Sequence, residues 1–159
     1  LCKSDVEKIT KLDASGKSIS DISGIENLIS LEELNLDAYF HNDPKKGNPT
    51  AANQISDISA LKELTNLTKL ELGYNKISDI SVLKGLTNIV DIVLNDNLIS
   101  DISALANLTN LTDLCLSGNQ ISDISALVGL TKLKSLNLYT NKISDITPLK
   151  GLTNLKMLF

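Results

Sequence analysis

The chain has 159 residues, of which 42% are hydrophobic but only 3% aromatic, with no tryptophan. That suffices for the core of one domain, built from leucine and isoleucine rather than from aromatic rings. The formal net charge of -4 disfavours nucleic acid and anionic membrane surfaces, both of which recruit lysine and arginine; no run of 18 apolar residues exists to span a bilayer.

Read in chain order, the sequence repeats itself. Residues 9–30 begin "ITKLDASGKSISDIS", a weak copy of a unit whose clearest form is "LTKLELGYNKISDISVLKGLTN" at 67–88. In the weak copy Lys17 stands where later units have Asn, and Ala14 replaces a leucine. The second unit, 31–66, has 36 residues, which is 22 plus 14. The surplus lies within 37–52, "DAYFHNDPKKGNPTAA". Units 67–88, 89–110, 111–132 and 133–154 follow without interruption, and 155–159 starts another. Asn53, Asn75, Asn97, Asn119 and Asn141 are spaced by 22, as are Asp57, Asp79, Asp101, Asp123 and Asp145. A fixed period of this length is the mark of a solenoid.

The units from 67 on match L-x-x-L-x-L-x-x-N-x-L, as in Leu67, Leu70, Leu72, Asn75 and Ile77. It predicts a short strand around Leu70–Leu72, a turn at the Asn, a short 3₁₀ or helical segment from Asp79, and a return. The expected fold is an α/β repeat: a right-handed leucine-rich-repeat solenoid of one domain, 1–159. A parallel sheet forms its concave face and 3₁₀ or helical segments its convex face.

The phrase "LTNLTKLELGYNKISDISVLKGLTN" resembles the 22-residue repeats of bacterial internalin-type leucine-rich proteins. "SDVEKITKLDASGKSISDISGIENL" is similar to the junction between helical cap and first repeat in such proteins. The resemblance implies that residues 1–8 are the remnant of an N-terminal cap. No C-terminal cap follows Phe159. The native protein is therefore expected to be longer, or the fragment to self-associate through its uncapped ends. The resemblance also implies surface display and adhesion-type roles.

Two columns invite a functional reading that simple chemistry answers. A turn Asn offers donors and an acceptor to the backbone of neighbouring coils, so the Asn column is expected to be structural. The Asp column, which includes Asp21, could attract calcium or a basic partner. Ser-Asp before an apolar residue also reads as a cap for a short helix, and that reading is preferred. The N-L-T triplets at Asn66, Asn107 and Asn110 follow from the repeated phrase "LTNLT" and receive no function. Cys2 and Cys115 lie several coils apart, too far to pair. With His41 the only histidine, and no phosphate loop, serine elbow or zinc motif, the sequence predicts no catalysis, cofactor or metal.

The face that varies is the outward one. With Leu70 and Leu72 inward, Lys69 and Glu71 face out. The outward columns and their edge hold seven acids (Asp13, Glu33, Asp37, Glu71, Asp91, Asp96 and Asp113) against Lys11 and Lys69. This predicts a protein partner with a basic or neutral surface. Tyr74 and Tyr139 are expected beside that face, and Tyr39, Phe40 and His41 in the insertion at its rim. Exposed aromatics are common interface anchors. Pro44, Gly47 and Pro49 make the insertion an irregular loop with Lys45 and Lys46 at its tip.

The expected partner-binding set is therefore Glu33, Asp37, Tyr39, Phe40, His41, Glu71, Tyr74, Asp91, Asp96, Asp113 and Tyr139. The function read from it is a non-catalytic protein-interaction module, secreted or on a bacterial cell surface. Alternatives are an intracellular scaffold or phosphatase-regulatory subunit in the cytoplasm, a carbohydrate-binding module using the aromatics, and a spacer.

Overall fold

The computed structural model describes residues 6–38 and 52–159. Tyr39, Phe40, His41, the loop prolines and lysines, and Cys2 lie outside the described residues.

One strand per coil builds a single sheet: β1 (Lys11–Asp13), β2 (Glu33–Asn35), β3 (Lys69–Glu71), β4 (Asp91–Val93), β5 (Asp113–Cys115), β6 (Ser135–Asn137) and β7 (Met157–Leu158). The strands pair in sequence order, all parallel. The register follows the repeat: Leu34, Leu70, Ile92, Leu114 and Leu136 stand side by side and are buried. The fold is the expected leucine-rich-repeat solenoid. Each strand starts one residue earlier than the sequence suggests, and Leu72 still joins the ladder through its N–H to Val93 C=O at 2.8 Å.

The return segments are 3₁₀ turns: Ile25–Asn27, Ser59–Glu63, Ser81–Gly85, Ser103–Leu105, Ser125–Leu127 and Thr147–Gly151. Spacing explains the choice. Parallel strands lie about 4.8 Å apart, whereas packed α-helices need about 8–10 Å. A tight 3₁₀ turn lets a 22-residue coil stay close to its neighbours on both faces. Its leucine (Leu61, Leu83, Leu105, Leu127) is buried in the same core.

The Asn column is structural. Asn97 is buried; its Nδ2 donates to the carbonyls of Leu72, Leu94 and Asn95, and its Oδ1 accepts from Ile77 N–H at 2.9 Å. Asn75 and Asn119 repeat the arrangement. Asn53, beyond the insertion, donates to the carbonyls of Leu36 and Asp37 and accepts from Lys17 and Ile19 N–H. The second coil thus rejoins the ladder after its extra residues.

A second Asn ladder was not anticipated. Asn66, Asn88, Asn110 and Asn154 each donate to a carbonyl of the preceding coil (Ile29, Thr65, Thr87 and Thr131) at 2.8–3.0 Å. Where the column has Lys132, its ammonium donates to Asn110 Oδ1 at 2.8 Å. Two of the N-L-T asparagines, Asn66 and Asn110, are therefore ties between coils. The 22-residue recurrence of "LTN" was the signal that could have revealed this.

Candidate binding surface

The outward side chains of β1–β6 form two columns. The first is Lys11, Glu33, Lys69, Asp91, Asp113 and Ser135, in direct register. The second is Asp13, Asn35, Glu71, Val93, Cys115 and Asn137. All are exposed or half-buried, as the alternation of a strand requires.

The acids of these columns are not equivalent. Lys11 Nζ meets Glu33 at 2.6 Å, and Lys69 Nζ meets Glu71 at 2.8 Å and Asp91 at 3.8 Å. Asp13 accepts from the N–H and hydroxyl of Ser15, and the Ser15 bonds hold its carboxyl below the ordinary value. The Asp113 carboxylate accepts from the Thr112 hydroxyl at 2.6 Å. Hydrogen bonding by Glu71 raises Lys69 above its ordinary value, against some desolvation. Simple charge counting treats this face as uniformly acidic; its N-terminal half neutralises much of its own charge.

The next column corrects the sequence reading. Ser15, Asp37, Gly73 and Asn95 are buried, not displayed. Asp37 is 1% exposed, and its Oδ1 accepts from Gly73 N–H. It is held inside the inter-coil turn and does not offer a contact to a partner. The cause is the chain path: after the strand the backbone bends toward the Asn ladder, and the next side chain is covered by the adjacent coil. Gly73 permits this closeness, since a Cβ there would lie 2.6 Å from Asn95 Oδ1.

At the edge, Gly16, Tyr74, Asp96, Gly118 and Thr140 all take left-handed backbone, with φ between 53 and 67°. Glycine tolerates this geometry, whereas other residues cost roughly 1–2 kcal/mol. Ala38, the matching residue of the second coil, is buried. The left-handed turn displays Asp96 and, at 40% exposure, Tyr74. Asn95 Nδ2 donates to Asp96 Oδ2 at 2.8 Å. Burial, then the Asp96 charge and a hydrogen bond to it, raise the Tyr74 phenol above its ordinary value. Tyr139 is 71% exposed.

Of the expected site residues, the structure gathers Glu33, Glu71, Asp91 and Asp113 on the sheet face. Tyr74 and Asp96 lie at its edge; Tyr139 shares the column of Asp37 but is exposed in the sixth coil, and Asp37 is withdrawn.

The convex Asp column resolves as local structure. Asp57, Asp79, Asp101 and Asp123 each accept through Oδ1 from the N–H of the serine two residues on, the first residue of the 3₁₀ turn, at 2.8 Å. The Ser103 N–H, then its hydroxyl, hold the Asp101 carboxyl below its ordinary 3.8, while the Asp123 charge opposes them. Among the described residues no group of three or more His, Cys, Asp or Glu is placed to hold a metal ion.

These bonds carry a pH signature. A carboxylate with a lowered folded pKa adds stability above its unfolded pKa and loses it as pH falls through the folded value. Replacing Asp79, Asp101 and Asp123 together by Asn keeps acceptors but removes proton linkage. The melting temperature of this variant should fall less steeply with acid below about pH 4 than that of the parent. Calorimetry across the acid range checks this, and superimposable curves would contradict it.

A parallel one-strand-per-coil sheet, an Asn ladder and a variable outward face define a leucine-rich-repeat solenoid. The chain belongs to the leucine-rich-repeat family: the model described as "Leucine Rich repeats (2 copies)" matches residues 50–85, 65–107 and 109–151. Its repeats are of the bacterial internalin type. It is similar to an internalin (inlF) of Listeria monocytogenes, with 37% identity and a TM-score of 0.74 over 99% of this chain and 49% of that one. It is also similar to internalin C2 (inlC2) of Listeria monocytogenes, with 29% identity and a TM-score of 0.63 over 100% of this chain and 84% of that one. A leucine-rich-repeat protein of Leptospira interrogans shows 26% identity and a TM-score of 0.80 over 99% of this chain and 39% of that one. The chain thus spans about half the length of the first of these structures. No curated protein sequence matches it.

Proposed function

We propose that this chain is a non-catalytic protein-interaction module of a secreted or surface-displayed bacterial protein, engaging its partner through the outward face of the sheet. The observation that carries the reading is a contrast within the chain. Inward positions repeat leucine or isoleucine from coil to coil, while outward ones change among Lys, Glu, Asp, Val, Cys, Ser and Asn. Burial constrains the inward set and leaves the outward set free, so the variation lies where contact with another molecule is possible. Glu33, Glu71, Asp91, Asp96, Asp113, Tyr74 and Tyr139 are the contacts proposed. Likeness to two Listeria internalins supports the bacterial setting. Among the described residues no helix is long and apolar enough to cross a membrane.

The test is selection of a displayed random-peptide library on the folded chain. Selected peptides should lose at least about tenfold in affinity for Val93→Arg, which blocks the sheet face, and keep it for Ala106→Arg on the opposite face. Peptides that follow the second variant and ignore the first would overturn the reading.

A further inference from the structure

The sheet face changes character along the solenoid. Over β1–β3 the cations are engaged: Lys11 with Glu33 at 2.6 Å, and Lys69 with Glu71 at 2.8 Å. A basic partner arriving there must break these pairs. Past Asp91 the outward columns of β4–β6 contain no cation. Asp91 and Asp113 stand directly opposite in register. Like charges so placed repel, and Lys69, at 3.8 Å from Asp91, sits closer to Glu71. Beside the acid pair the second column turns apolar. Val93 and Cys115 are neighbours, half-buried, with Glu71 before them and Asn137 after. They are the two apolar residues of that column from β1 to β6. The strip is thus an apolar floor next to two acids without a full counterion.

Resting on the reading that the sheet face binds protein, we infer that the docking site is the part over β4 and β5. Its occupant is a protein segment carrying lysine or arginine next to an aliphatic side chain. Charge complementarity selects the cation. Its head lies between Asp91 and Asp113, about 6.6 Å along the strand from the Val93–Cys115 row. Its methylene stem covers that row, as long basic side chains do on apolar surface. The aliphatic neighbour fills the remainder. A neutral segment would leave the two carboxylates opposed, and an acidic one would add to them. Burial raises the Asp91 carboxyl above its ordinary value, and the Asp113 charge adds to this against Lys69; a bound cation offsets the repulsion from Asp113.

The peptides selected on the sheet face provide the test. They should be rich in Lys or Arg, and amide NMR shifts on binding should cluster at Asp91, Val93, Asp113 and Cys115. The double variant Asp91→Asn, Asp113→Asn should weaken them at least about tenfold, whereas Asp13→Asn, which removes an outward acid of β1, should change affinity by less than about twofold. The Asn variant removes a like-charge contact, so its melting temperature should equal or exceed the parent's, which separates lost binding from lost folding. Sheet-face peptides that are neutral or acidic, or that map to β1–β3, overturn this inference and leave the general reading intact. Peptides indifferent to Val93→Arg that instead lose affinity with Ala106→Arg overturn both.

Discussion

Replacing Asn97 by Ala should destabilise the chain by about 3 kcal/mol, a loss read from the shift in urea midpoint. The Asn97 side chain makes four bonds inside the stack. Some of their partners have a second bond. Leu72 C=O keeps Asn75, Leu94 C=O keeps Asn119, and Asn95 C=O keeps Tyr74 N–H. The Ile77 N–H is different: Asn97 Oδ1 is its acceptor, and Ile77 is fully buried. An orphaned buried donor costs about 1–3 kcal/mol, and each further bond lost about 0.5–1.5. The comparison is Asn88→Ala in the exposed second ladder, where a single bond to Thr65 C=O is lost and water can replace it. That change should cost about 1 kcal/mol or less. Equal losses from the two variants would show that burial does not decide the worth of these ladders.

Gly73→Ala should cost about 2 kcal/mol, within the range for overpacking a filled interior. The added Cβ would meet Asn95 Oδ1 at 2.6 Å and Asp37 Oδ1 at 3.1 Å. Both side chains are buried and cannot swing freely into solvent. The displacement should also spread to the edge, because Asn95 Nδ2 bonds to Asp96 and Asp96 faces the Tyr74 phenol. Tyr74 ring resonances should therefore shift along with the loss of stability. Gly85→Ala is the control: nothing lies within 4 Å of its Cβ, so it should be neutral or gain up to about 1 kcal/mol. A Gly73 variant as stable as the Gly85 variant would mean that the turn has slack.

Both predictions concern features that a sequence records only in part. The Asn column was legible because its spacing and its chemistry agree: one amide per coil serves backbone groups that the turn leaves unpaired. The convex Asp column was legible in part: Ser-Asp announces a short helical turn, but the cap position falls on the next residue, an isoleucine, and the Asp accepts the turn's first N–H from one residue before that cap. The burial of Asp37 was not. An alternation rule assigns it to the outward face, but the rule holds only while the chain remains a strand. Three-residue strands end before that position, and the path of the next coil covers it.

The sequence by itself determined the architecture: period, strand order, register and core columns. Each coil contacts its neighbours, so a fixed period maps directly onto parallel pairing and a continuous core. The tertiary structure alone decided how the sheet face distributes its charge. Register sets Lys11, Glu33, Lys69, Asp91 and Asp113 in one row, but the pairing of Lys11 with Glu33 and of Lys69 with Glu71 rests on side-chain geometry that no period encodes. Within that row each carboxylate's state depends on which ammonium reaches it, and at what distance. That is why an acidic face counted from composition resolves into a half that satisfies itself and a half that is open to a cation.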